Sequence, residues 1–170
     1  IFCQRYRGDG DAWEGEIQTS LTATKTIIEA LVPKLTQPAS IVVVGSVLNT
    51  FISEESTLAY HVAKAGLLQL VRYYAVTLAS QAIRANGVSP GTLLKPESQA
   101  FYLGNPKVDA HFRAINPQHK MASADEIAAI VATLCSPSAG IITGQDVVVD
   151  GGLSLQWQET LSKKMKPEVF

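Results

Sequence analysis

Short apolar runs alternate along the chain with longer stretches of helical periodicity. The β-branched run from Ile41 to Val44 is typical of a strand that is buried on both faces of a sheet. The pattern predicts strands at residues 1–3, 41–45, 83–88 and 146–150, and helices at residues 13–35, 57–80 and 125–134. Because strands and helices alternate, we expect an α/β fold in which about four strands belong to a doubly wound parallel sheet with flanking helices.

The segment 93–121 interrupts this alternation. Pro96, Gly104, Pro106 and Pro117 divide it into short pieces that carry several aromatic side chains. A long irregular connection inside a compact domain is usually a lid or a binding loop. We therefore expect this segment to be irregular and to cover a substrate.

The helix predicted at residues 57–80 is apolar on almost every side. A surface helix carries one apolar stripe, whereas a helix that is apolar all round is buried. We therefore predict that one face packs on the sheet and the other on a second copy of the chain. The expected assembly is a homodimer or homotetramer formed through the helices at residues 13–35 and 57–80. The alternative is that another part of the same chain covers the outer face.

Composition indicates one domain spanning residues 1–170, because 46% of the 170 residues are hydrophobic and 17% are charged. With 14 basic and 15 acidic residues, the formal charge is −1, and we expect no nucleic-acid or membrane partner. Cys3 and Cys135 have no metal-ligand spacing, so we interpret them as core residues and predict no metal site. We expect a small-molecule substrate and a cytoplasmic location.

Tyr60 and Lys64 are the first candidates for chemistry. Their spacing places a phenol and an ammonium on one face of a helix, one turn apart. An ammonium within about 4–6 Å favours the ionised form of a phenol and brings proton transfer at neutral pH within reach. A Tyr-xxx-Lys pair also arises by chance, so the surrounding segments decide its meaning.

Three further segments surround this pair in a fixed order. A strand ending in Gly45-Ser46 precedes it, Pro90-Gly91 closes a later strand, and a Thr-Gly and an Asp-Gly-Gly block lie within residues 142–152. A hydroxyl at the carboxyl end of a strand lies where open α/β sheets bind ligands. Together the four segments resemble the short-chain dehydrogenase/reductase family over nearly the whole chain. The closing block is similar to the single-domain branch that includes 3-oxoacyl-[acyl-carrier-protein] reductases.

The resemblance implies the C-terminal part of a Rossmann fold and a catalytic role for four residues. Tyr60 would transfer a proton to or from the substrate oxygen, and Ser46 would hydrogen-bond that oxygen. Lys64 would hold the nicotinamide ribose and assist Tyr60. Ser20 stands where relatives carry a supporting Asn, and a hydroxyl has fewer hydrogen-bonding atoms than an amide, so the proton relay is expected to be weakened or rerouted.

The same resemblance implies a cofactor site formed by Tyr60, Lys64, Pro90, Gly91 and Leu93. A glycine after the proline would let the backbone approach the nicotinamide ring. Pro90-Gly91 could equally be an ordinary turn. The cofactor is expected to be NAD or NADP, and the residues that choose between them would follow a second strand that is not recognised in this chain.

Two other positions depart from the family pattern. Lys95 stands where many relatives place a Thr near the cofactor, and it could meet a phosphate or simply be solvated. Ser46 and Tyr60 lie 14 positions apart, one more than in typical relatives, which indicates a one-residue insertion within residues 48–56. Ser46 could instead merely cap or end its strand.

No glycine-rich turn for a dinucleotide pyrophosphate is recognised. The segment 8–13 has only two of the three glycines and no complete βα unit before it. We therefore expect the chain to be the C-terminal portion of a longer protein whose first three strands precede it.

The leading hypothesis is an NAD(P)-dependent oxidoreductase that interconverts a ketone and a secondary alcohol, with Tyr60 as proton donor or acceptor. The alternative is a catalytically weakened relative that serves as a cofactor-binding or assembly subunit. Phe101, Tyr102 and Phe112 would suit an apolar or aromatic substrate, whereas Arg113 or His119 would suit an acidic one.

Overall fold

A computed structural model describes residues 13–166, apart from the side chains of residues 96 and 97. The strand predicted at residues 1–3 and the glycine segment at residues 8–12 lie outside this range. The described chain divides into two compact units. One consists of residues 13–89 and 129–147, and the other of residues 90–128 and 148–166. The single-domain organisation stays a prediction.

Helices and strands follow one another in the predicted α/β order. The elements are α1 (Trp13–Ile17), a π-helical turn (Gln18–Thr22), α2 (Ala23–Leu31), β1 (Ala39–Val44), α3 (Leu58–Thr77), β2 (Ile83–Pro90), β3 (Leu93–Leu94), α4 (Pro96–Leu103), α5 (Pro106–Ile115), β4 (Ala122–Ser123), α6 (Ala124–Cys135), β5 (Asp146–Val149) and α7 (Gln158–Met165). The helices and strands predicted at residues 13–35, 41–45, 57–80, 83–88, 125–134 and 146–150 are thereby confirmed, and their ends agree within four residues.

The first unit is built on a parallel sheet. β1 and β2 pair in parallel, in a register that runs from Ala39 opposite Ile83 to Val44 opposite Val88. β5 lies on the other side of β2, so the strand order is β1-β2-β5. This order places the carboxyl end of β1 beside the carboxyl end of β2, where an open α/β sheet binds its ligands.

Apolar side chains of β1, β2, α2 and α3 form the core of this unit. Ile41, Val42 and Val43 of β1 are buried as predicted, with Val42 fully buried, whereas Val44 is half-buried. Ile28 from α2 and Leu67 and Val71 from α3 pack into the same cluster as Ile41. Each of these side chains contributes roughly 1.5–3 kcal/mol of burial free energy, so the core fixes α3 on the sheet.

The outer face of α3 is exposed within the described chain. Val62, Tyr73 and Val76 have exposed fractions of 39%, 61% and 78%, although Leu67 and Val71 on the opposite face are buried. The alternative interpretation, in which another part of the chain covers this face, is therefore wrong for the described residues. An apolar helix face that the chain leaves open is a candidate contact surface for a second molecule.

Cys135 is the last residue of α6 and is exposed, so its interpretation as a core residue is wrong. The apolar pattern of α6 ends one residue earlier, at Leu134, which is buried.

Between residues 13 and 166, no helix has the length and apolar character that a membrane span requires.

The second unit contains the whole segment 93–121, and the expectation that this segment is irregular is wrong for residues 96–115. Residues 96–115 form two helices, α4 and α5, and these pack on each other. Pro96 and Pro106 are the first residues of these helices, where proline is favoured because the missing N–H has no helical partner. The prolines therefore mark helix starts. The segment's role as a substrate lid stays a prediction.

A tight turn after β5 organises the end of the second unit. Gly151 and Gly152 have φ angles of +68° and +82°, which favour glycine. A Cβ on Gly151 would also lie 2.5 Å from Oδ1 of Asn116. The amide of Asn116 donates to the carbonyl of Asp150 at 2.9 Å, so the turn and the end of α5 are held together.

Candidate active site

Tyr60 and Lys64 lie in the first two turns of α3. Thr57 caps this helix, because its hydroxyl accepts a hydrogen bond from the backbone N–H of Tyr60 at 3.2 Å. The ammonium nitrogen of Lys64 is 5.3 Å from the centre of the Tyr60 ring. The half-buried Tyr60 and the buried Lys64, which is only 4% exposed, therefore form the predicted pair on one helix face.

Ser46 follows β1 and begins a short 3₁₀ turn over residues 47–49. Its hydroxyl accepts a hydrogen bond from the backbone N–H of Leu48 at 3.2 Å, so Ser46 does cap this turn. A serine hydroxyl has one proton and two acceptor positions, and the cap occupies a single acceptor position. Capping is therefore compatible with donation of the Ser46 proton to a substrate oxygen.

His61 connects the following loop to α3. Its Nε2 accepts a hydrogen bond from the backbone N–H of Ser53 at 3.1 Å, and its Nδ1 lies 2.7 Å from the carbonyl oxygen of Thr57. A carbonyl can only accept and a backbone N–H can only donate, so the proton must sit on Nδ1. Both ring nitrogens of the buried His61 are thus used to hold the loop between Ser46 and Tyr60.

Ser20 lies in the π-helical turn between α1 and α2. There the backbone N–H of Ala23 donates to the carbonyl of Gln18, one residue further back than in an α-helix. The Ser20 hydroxyl donates to Oε1 of Glu16 at 2.5 Å, and both side chains are buried. Because of this hydrogen bond, Ser20 is a paired polar group, and it lies in the same unit as Tyr60. Single π-helical turns inside α-helices are frequent at functional sites.

Pro90, Gly91 and Leu93 belong to the second unit. Gly91 donates its backbone N–H to the carbonyl of Val149 at 3.1 Å, and a Cβ on Gly91 would lie 2.9 Å from the Cβ of Asp150. Glycine is thus required by close packing at this point. Leu93 pairs with Ala122 in the two-stranded β3–β4 sheet.

Lys95 precedes α4 as its N-cap residue, in the second unit. The hydroxyl of Ser98 accepts a hydrogen bond from the backbone N–H of Lys95 at 3.2 Å. The backbone of Lys95 thus starts the helix, and a phosphate contact of its side chain stays a prediction.

Three polar residues that the sequence pattern did not single out form a cluster beside Lys64. Asn49 donates to Ser89 at 3.0 Å and to Oδ2 of Asp146 at 2.8 Å. The Ser89 hydroxyl donates to the same carboxylate, 2.7 Å from Oδ1 and 2.9 Å from Oδ2. These residues are far apart in the sequence, and no local motif links them. Only the strand order brings them together.

The donor set of α3 fits the sugar end of a nicotinamide cofactor. An ammonium that offers three protons and a phenol that can both donate and accept lie side by side, which suits a pair of neighbouring sugar hydroxyls. No group of three or more His, Cys, Asp or Glu side chains between residues 13 and 166 is placed to hold a metal ion. The described site thus contains hydroxyls, an ammonium and the carboxylate of Asp146.

Comparison with known proteins identifies relatives of this chain. A family model described as enoyl-(acyl carrier protein) reductase matches residues 6–154. A tropinone reductase homolog of Arabidopsis thaliana is 34% identical over 141 residues, which are 82% of this chain and 52% of the relative. Dehydrogenase/reductase SDR family member 4 of Mus musculus is 33% identical over 144 residues, 84% of this chain and 51% of the relative.

A solved structure has the same fold. 4-Hydroxyisoleucine dehydrogenase complexed with NADH matches with a TM-score of 0.78 and 22% identity, over 92% of this chain and 67% of that chain. The protein is thus of the Rossmann-fold class, as its alternating strands and helices predicted. The chain belongs to the short-chain dehydrogenase/reductase family, and it spans about half the length of the curated relatives it matches.

Proposed function

We propose that the full protein is an NAD(P)-dependent oxidoreductase that interconverts a ketone and a secondary alcohol. The observation that carries this proposal is the Tyr60–Lys64 pair, with the ammonium nitrogen 5.3 Å from the phenol ring at the start of α3. Family membership and the names of the relatives, which are reductases and dehydrogenases, support it.

Each polar residue of the site has a distinct task in the proposed reaction. A bound nicotinamide supplies or accepts the hydride at the substrate carbon. In the reducing direction, Tyr60 gives its hydroxyl proton to the substrate oxygen, and in the oxidising direction it takes that proton back. Ser46 donates a hydrogen bond to the same oxygen, which stabilises the charge that develops there. Lys64 stabilises the phenolate that remains on Tyr60 and holds the cofactor ribose.

The family also supplies the proposed contacts of Pro90, Gly91 and Leu93 with the cofactor. The absence of a side chain at Gly91 supports a close backbone approach, although Asp150 already requires glycine there. Both NAD and NADP are candidate cofactors, and the cytoplasmic location stays a prediction.

We further propose that copies of the protein associate through the outer faces of α2 and α3. These helices border an open groove of about 460 Å³. It is lined by Leu21, Thr22, Lys25, Gly66, Gln69, Leu70 and Tyr73. Exposed apolar residues that continue beyond the groove, such as Ile27 and Val76, support a contact with a second copy.

The test of the enzymatic proposal is turnover in the full protein. NADH and NADPH are offered separately with a panel of aliphatic, aromatic and acidic ketones. Cofactor oxidation is followed in the parent protein and in Tyr60→Phe, which lacks the hydroxyl. Turnover that depends on Tyr60 is expected for at least one ketone. Cofactor binding without any Tyr60-dependent turnover would instead favour a cofactor-binding or assembly subunit, a role that Ser20 in place of the supporting Asn would suit.

A further inference from the structure

The cluster of Asn49, Ser89 and Asp146 lies directly over the backbone of β1 and β2. A Cβ on Gly87 would be 3.0 Å from Oδ1 of Asp146, and a Cβ on Gly45 would be 3.1 Å from the Ser89 hydroxyl. The two glycines therefore leave the space that the cluster occupies. The half-buried carboxylate of Asp146 thus packs against the sheet, next to the turn that Ser46 begins.

The hydrogen bonds within the cluster orient the carboxylate of Asp146. Asn49 and Ser89 together contact both of its oxygens, at 2.7–2.9 Å. Both donors are neutral, so they fix the direction of the carboxylate without balancing its negative charge. Because a negative charge is costly in a partly buried site, a nearby cation stabilises it.

A small cavity joins this cluster to Lys64. It has a volume of about 10 Å³, and its lining includes the polar residues Lys64, Asn49, Ser89 and Asp146. The other lining residues are Val43, Gly45, Leu67, Leu68, Val71 and Gly87. A cavity of roughly this size with several polar partners is suited to a single water molecule.

We propose that Asp146 is a positioning residue for Lys64. Its carboxylate, oriented by Asn49 and Ser89, accepts a hydrogen bond from one water in the cavity, and that water accepts a hydrogen bond from the Lys64 ammonium. The link holds the Lys64 ammonium beside Tyr60, and the carboxylate of Asp146 balances the positive charge of that ammonium. This inference rests on the proposed function, because it assigns Asp146 to the Lys64 that holds the cofactor ribose there.

Asp146→Asn in the full protein tests this link, because it removes the charge and keeps the size of the side chain. We expect nicotinamide cofactor binding, measured by fluorescence titration, to weaken about tenfold, the effect of losing one hydrogen bond between charged groups. The kcat should fall as well, and the KM of the ketone should not change. Asp125→Asn makes an equal charge change on the exposed first turn of α6, and it should leave cofactor binding and kcat at the parent level.

A purely structural role for Asp146 would lower the midpoint of thermal unfolding without changing the cofactor Kd of the folded protein. That result would overturn the proposal. If Asp146→Asn does not fold, Asn49→Ala is the second variant, since it removes one donor that orients the carboxylate. A weaker cofactor Kd in Asn49→Ala would support the link, and an unchanged Kd would overturn it.

Failure of this inference can be told apart from failure of the proposed function. If Tyr60→Phe keeps full turnover while Asp146→Asn still weakens cofactor binding, the catalytic proposal falls and the link to Lys64 stands. If Tyr60→Phe loses turnover while Asp146→Asn matches the parent in Kd and kcat, the link falls and the catalytic proposal stands.

Discussion

The hydroxyl of Ser20 donates a 2.5 Å hydrogen bond to the carboxylate of Glu16, inside a π-helical turn where both side chains are buried. A carboxylate in such surroundings loses much of its hydration, and a charge-assisted hydrogen bond offsets part of that cost. Ser20 thus completes a buried pair with Glu16.

Ser20→Ala should destabilise the protein by roughly 1–3 kcal/mol, because it leaves a buried acceptor without its donor. Urea denaturation measures this change, with the exposed Ser80→Ala as a control that should stay within about 0.5 kcal/mol of the parent. Replacing both partners, in Glu16→Leu with Ser20→Ala, should recover most of the loss. A double variant less stable than Ser20→Ala alone would contradict this account of the pair.

Asp150 makes the turn after β5 sensitive to acid. Burial raises the pKa of this carboxyl, but hydrogen bonds from Ser154 and Gly152 outweigh burial, so the pKa lies below its ordinary value. The backbone N–H groups of these two residues donate to the two oxygens at 2.8 Å each. Because the folded-state pKa is lowered, the stabilisation is present above the unfolded-state pKa, near 4, and is lost as the pH falls through the folded value.

Asp150→Asn should therefore lower the free energy of unfolding at neutral pH, and its curve against pH should approach that of the parent below about pH 4. Urea denaturation at a series of pH values between neutral and acidic gives both curves. A difference between the two proteins that stays constant over the whole range would contradict the assignment.

The exposed face of α3 predicts an effect on assembly. Tyr73→Glu places a charge in the groove beside α2, at a side chain that is 61% exposed in the single chain. Burying an unpaired carboxylate between two copies is costly, so we expect the variant to shift from oligomer towards monomer. Sedimentation equilibrium measures the shift. Ile52→Glu, at an 80% exposed residue of the loop before α3, is the matched control. Equal masses for Tyr73→Glu and the parent would exclude this face as the contact.

Local pattern was sufficient for the main framework of the fold. The β-branched run at Ile41–Val44 and the apolar helix around Tyr60 are strong signals, and both elements are present. The sequence pattern predicts no helix over residues 96–115 because Pro96 and Pro106 indicate interruptions, whereas the first position of a helix accepts proline. The two roles of proline look alike in a single sequence.

The candidate site was predictable only where its residues are close in sequence. Tyr60 and Lys64 are one helical turn apart, so their spacing already implied their contact. Asn49 and Asp146 are 97 positions apart, and their hydrogen bond depends on which strands are neighbours. Strand order is a property of the whole fold. For this reason the cluster beside Lys64 could be found only in the structure.

The most direct measurement of the central claim is the turnover of Tyr60→Phe in the full protein, beside Tyr73→Phe as a control on the same helix. Loss of a general acid–base group typically lowers turnover by about 10²–10⁴-fold, and we predict a kcat reduced to that extent. Cofactor affinity should be nearly unchanged, and Tyr73→Phe should retain full activity. A Tyr60→Phe variant that turns over as fast as the parent would contradict the assignment of Tyr60 as proton donor and acceptor.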